Sequence, residues 1–196
     1  MSKTFGNFID SGESQEYLII SFSSMMLPMQ DRWRNNSLSA DFLASYWGTF
    51  FPVHNTESGH QRAEVQDTVS YIANELLENA IKFSHEPSGI PVKIGIYLTH
   101  DKLRFYVTNS VNPKNVGNFQ QYIQTVLAED PGELYIHQLE RNASDENSTE
   151  SRLGFLTMLN DYEAELAWKF ETIQQNPEII TVTTMVELEI VRTQQH

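Results

Sequence analysis

Tyr71-Ile-Ala-Asn-Glu75-Leu-Leu-Glu-Asn79-Ala-Ile-Lys82-Phe-Ser84 is the stretch whose periodicity decides the fold. Wound at about 100° per residue, Val65, Val69, Ile72, Leu76, Ala80 and Phe83 fall on one stripe, the apolar face of a packed helix. Glu75, Asn79 and Lys82, at i, i+4 and i+7, run along one edge of that stripe, at the seam between core and solvent. The three side chains have complementary chemistry. A carboxylate can orient or deprotonate a nucleophile, an amide oxygen is a hard ligand for Mg²⁺, and an ammonium meets phosphate. An ordinary amphipathic helix with an i, i+3 pair between Asn79 and Lys82 explains the same letters, so the order of the remaining elements has to choose between the two.

Working outward, the chain of 196 residues suits one domain with a substantial core. It has no cysteine, which excludes a disulfide framework and thiolate metal sites and fits a reducing compartment. No run approaches the roughly 20 apolar residues of a membrane helix, and the first residues lack a basic region followed by an apolar one. The expectation is a soluble, cytoplasmic protein without membrane contact. A formal charge of −13, with no cluster of Lys and Arg, argues against nucleic acid as a partner.

Before the central helix, residues 1–15 read as a frayed polar start and Tyr17–Phe22 as a first strand. Ser39 is the expected N-cap of a short helix from Ala40 to Phe50. Trp33, Phe42, Tyr46, Trp47, Phe50 and Phe51 make this segment rich in aromatics, suited to core packing or to a partner surface. His54, Glu57 and His60 lie in an expected loop and read as solvated side chains. The long helix spans about Gln61 to Ser84 and stops at His85-Glu-Pro-Ser-Gly89. On its second face Leu77 and Ile81 need cover, which the aromatic segment would supply from the same chain or from a second subunit.

After it, Pro91–Thr99 and Leu103–Thr108 alternate as a hairpin, and Asn109–Gly117 reads as a loop. Helices are expected near Asn118–Ala128 and Glu133–Arg141. Asn142–Glu150 is loop-like, Ser151–Leu159 is helical by pattern, and Ala164–Ile173 and Ile179–Ile190 close the chain as strands.

The helix motif Glu75-x-x-x-Asn79-Ala80-x-Lys82-x-Ser84 resembles the N box of the GHKL ATPases, which include histidine kinases, anti-sigma serine kinases, gyrase and related chaperones. The resemblance covers roughly residues 60 to 191 and implies a Bergerat-type α/β sandwich: a mixed, mostly antiparallel sheet covered by helices on one face. Residues 1–59 would supply an N-terminal strand and aromatic helical segment of the same domain, and 60–196 the GHKL-like domain. It further implies Mg²⁺ and ATP as cofactors, Asn79 as the metal ligand, Glu75 as general base and Lys82 near the phosphates.

Ser151-Arg-Leu153-Gly154-Phe155 is similar to the second glycine motif of that family, with one glycine kept, although a helix capped by Ser151 explains the letters equally. Backbone N–H groups at such a helix start favour phosphate, and 142–150 would then belong to the ATP lid. At the place of the first glycine motif, DxGxG, stands Asn109-Ser-Val-Asn-Pro113. Asn109 takes the position of the adenine-binding Asp and both glycines are missing. No phosphoacceptor histidine motif accompanies these elements. Two readings follow. One is an ATP-binding switch similar to the stand-alone anti-sigma and SiaB-like serine kinases of bacterial partner switching, acting on a small signalling protein and dimeric as those kinases are. The other is a degenerate member that keeps the fold as a protein-interaction module.

Overall fold

The computed structural model describes residues 2–12, 16–23, 29–51, 56–99, 101–144 and 153–190. Its elements, in chain order, are β1 (Ser2–Phe5), β2 (Glu16–Phe22), α1 (Met29–Gly48), α2 (Thr56–Lys82), β3 (Val92–Thr99), β4 (Lys102–Val111), α3 (Val116–Ala128), α4 (Pro131–Ser144), α5 (Gly154–Asp161), β5 (Glu165–Gln175) and β6 (Glu178–Glu189). The six strands form one sheet in the order β1-β5-β6-β4-β3-β2, and every pairing is antiparallel. The architecture is an α/β sandwich, with the helices on one face of the sheet.

Alternation builds that face. Val92, Ile94, Ile96 and Leu98 of β3, Leu103, Phe105 and Val107 of β4, and Leu166, Trp168 and Phe170 of β5 are buried together with Val69, Ile72, Leu76 and Ala80 of α2. Each fully buried aliphatic side chain contributes about 1.5–3 kcal/mol, so this single cluster is the main source of stability. The α2 stripe is as expected except at its end, where Phe83 is 47% exposed beyond the last helical residue.

Several boundaries differ from expectation. α1 starts at Met29, so Ser39 sits inside the helix and caps nothing. The polar run 30–39 hid it, because the helix is held by Ala40, Leu43, Ala44 and Trp47 packed into the core. α1 and α2 lie antiparallel along one another: Ser70 Oγ donates to Asp41 Oδ1 at 3.2 Å, and Gly48, later in α1, lies against Gln66, earlier in α2. α1 thereby covers the second face of α2 from within the same chain, and Leu77 is 0% exposed. Of the aromatics expected there, Trp47 and Phe51 are buried and Phe42 is exposed, while the side chain of Trp33 lies outside the described residues, as does His54.

β1 lies in the start that was expected to fray. It pairs with β5, Phe5 opposite Trp168, and the chain then turns at Gly6 (φ +70°), where an added Cβ would come within 2.7 Å of the Leu166 carbonyl oxygen. Only glycine suits that turn. From it the chain enters the outer face of the sheet, where Phe8 and Ile9 pack on Tyr106, Ala167 and Met185. Tyr106 Oη donates to the Ile9 carbonyl (2.9 Å) and Lys169 Nζ to Asp10 Oδ1 (2.9 Å). β2 then forms the opposite edge. Beyond this strap, on the same outer face, Glu187 is buried and accepts from both Lys102 and Arg104.

Candidate functional site

Of the residues singled out by their chemistry, Glu75 and Gly154 are brought together at α2, while Asn109 lies on β4 and Lys82 at the exposed end of the helix. Gly154 opens α5, and the Glu75 carboxylate rests directly on its backbone: a Cβ at that position would collide with Glu75 Oε2. Two motifs separated by about eighty residues in sequence therefore share one seam. Leu153 precedes the helix and its carbonyl accepts from Thr157 N at 2.7 Å, closing the first turn, but it offers no side-chain cap. A side chain at position 154 would have to displace the Glu75 carboxylate, whereas the backbone angles there do not call for glycine.

Glu75 is half-buried, and among the described residues it has no hydrogen bond and no ion pair. Burial raises its pKa above the ordinary carboxylate value, and the negative charge of Glu78 raises it further. A carboxylate held this way is a better proton acceptor than a solvated one. One turn on, the side-chain amide of Asn79 is also half-buried and has no hydrogen-bond partner among the described residues. Such an amide oxygen is available to a cation. Lys82 ends α2 on its exposed side, its Nζ 5.4 Å from the centroid of the Phe83 ring.

Asn109 is buried on the helix-facing side of the sheet, and its Nδ2 donates to the Ser110 carbonyl at 2.9 Å. Here the expected loop is corrected: β4 continues through Val111, with Asn109 opposite Val182, Ser110 opposite Thr181 and Val111 opposite Ile180. The ladder to β6 outweighs the turn preference of Asn and Ser, and the side chain of Val111 fills core volume. The end of α2 is tied to this strand, since His85 N donates to the Ser110 carbonyl (3.1 Å) and Ser110 Oγ to the His85 carbonyl (3.2 Å).

A further group escaped sequence reading. Tyr71, one turn before Glu75, stacks on Tyr162 just past α5 (5.1 Å between centroids, 17° between planes) and is hydrogen-bonded to Thr157. Burial is the main cause that raises the Tyr71 hydroxyl pKa, with the Glu75 charge adding to it. These contacts bolt α5 to α2 and hold Gly154 against Glu75. The signal was available: Tyr71 lies at i−4 from Glu75 and so on its stripe. The expected helix start at Ser151 and the stretch 145–150 lie outside the described residues; 142–144 belong to α4. No group of three or more His, Asp or Glu side chains is placed to hold a metal among the described residues.

No protein-family model matches the chain, and no curated protein matches it.

Proposed function

We propose that this chain is an ATP-binding regulatory protein of GHKL type, a serine/threonine kinase-like switch acting on a small signalling partner. The observation that carries the reading is the Glu75 carboxylate seated on Gly154, with the Asn79 amide, which has no partner among the described residues, one turn away. This donor set fits Mg²⁺ carried by a nucleotide, because the ion keeps several waters and phosphate oxygens and needs few protein ligands. Asn79 would hold it, and its charge would offset that of the phosphates. Glu75 accepts a proton from, and orients, the hydroxyl that attacks. The N–H groups of the first turn of α5 would supply hydrogen bonds to the phosphate charge.

A second reading, an interaction module without catalysis, is favoured by a different observation. Where the family has glycines, this chain has a paired strand with Val111 in the core and the Nδ2 of Asn109 already bonded to Ser110. Titration calorimetry with Mg-ATP separates the two. Binding that weakens about tenfold or more in Asn79→Ala supports the first reading, since even outer-shell losses cost about that much in metal affinity. Saturating Mg-ATP without heat or thermal shift overturns it in favour of the second.

A further inference from the structure

We infer that β2 is a self-pairing edge through which two copies of this chain join their sheets. The two edges of the sheet are unlike. β1 has four residues, carries Lys3, and runs straight into the turn at Gly6. β2 has seven, pairs with β3 in unbroken register, and bears its single charge, Glu16, at its first position. Edges are ordinarily protected by shortness, by Lys or Pro, by a bulge or by a covering element. Among the described residues β2 has none of these. Its outer-face side chains Tyr17 and Ile19 are 56% and 49% exposed, and Tyr17 lies flat on Tyr97 (5.4 Å, 15°). The outer face thus ends at this edge in an apolar strip. The other surface that could have called for a second subunit, the far side of α2, is closed by α1.

The occupant that fits is another β2. Antiparallel pairing about a two-fold axis at Ile19, the midpoint of the strand, engages all seven residues: Ile19 faces its symmetry mate, Tyr17 faces Ser21, Leu18 faces Ile20 and Glu16 faces Phe22. Side chains keep their faces in this register, so Leu18, Ile20 and Phe22, which pack on the core, meet their counterparts on the helix side. The charge of the strand itself leaves room for the same occupant: β2 offers a single carboxylate, Glu16, too few to recruit a basic strand. Self-pairing sets no carboxylate opposite another.

The absence of cysteine gives a test of register as well as of assembly. Cα atoms of directly opposed antiparallel residues lie about 4.5–5.5 Å apart, within disulfide range. The wild type is expected to sediment as a dimer at micromolar concentration. Ile19→Cys should cross-link under mild oxidation, much faster than Phe42→Cys, which is equally exposed on α1. Ile19→Asp should lose the dimer while still melting cooperatively; if it fails to fold, the cross-linking rates decide. A wild type that is monomeric at every concentration overturns the inference, as does a dimer that folded Ile19→Asp leaves intact or a rate for Ile19→Cys no greater than the control. Nucleotide has no part in these measurements, so their failure leaves the proposed function untouched.

Discussion

At Glu75 the chain keeps an acid where a carboxylate is costly. Its folded pKa is raised, first by burial and then by Glu78, so the folded state holds this proton more tightly than the unfolded one. The associated stability is fully present below the ordinary carboxylate pKa of about 4.3 and is lost as pH rises through the folded value. Glu75→Gln should therefore melt higher than wild type at neutral pH and lose that advantage in acid. Parallel melting curves at every pH would show that the side chain is solvated. Gly154→Ala probes the same contact from the other side. Its Cβ must push the carboxylate away, so the variant should fold but show a Glu75 pKa nearer the ordinary value, measurable by carboxyl NMR titration. From sequence, Glu75, Asn79 and Gly154 could be named because their chemistry sits at defined positions on helices. That the first and last touch could not, since it depends on how Tyr71, Tyr162 and Thr157 dock α5.

Among the elements, those with strong periodicity were legible and those stabilised by distant partners were not. The α2 stripe and the β3–β4 hairpin follow from apolar spacing alone. The last three residues of β4 were misread because Asn109, Ser110 and Asn112 signal a turn, while the ladder that overrides them belongs to β6, some seventy residues on. The register also removes the opening that a glycine motif would have made. α1 shows a similar dependence: its polar first half is a helix because its second half is anchored on α2. Leu77, fully buried on the face of α2 away from its main stripe, provides the measure. Leu77→Asp buries a carboxylate without a partner and should cost at least about 3 kcal/mol, seen as a lost or sharply lowered melting transition. A melting temperature within a degree of wild type would mean that α1 does not lie there in solution.

For the whole molecule, the outer face is held by few but specific contacts. Burial tends to raise the pKa of Glu187, yet the hydrogen bonds from Lys102 and Arg104 outweigh it and leave the carboxyl below its ordinary value. That contribution is present above the ordinary pKa and is lost as pH falls through the folded one. Glu187→Gln should thus destabilise the protein at pH 7, by about 1–3 kcal/mol, and match wild type in strong acid, as denaturant midpoints at several pH values would report. On the same scale Phe5→Ala, which empties a core position on the edge strand, should cost about 3–5 kcal/mol. β1 was unreadable because one buried phenylalanine is too little pattern, and its partner lies near the far end of the chain. That pairing sets a timetable. Phe5 meets Trp168, so at a translation rate of about 5–20 residues per second the strand waits roughly ten to thirty seconds for its neighbour to be made. β2 needs only β3 and can be captured much sooner. The strap is therefore fastened at one end while the other hangs free, and nascent chains arrested before β5 should leave residues 2–12 open to protease that the finished protein resists.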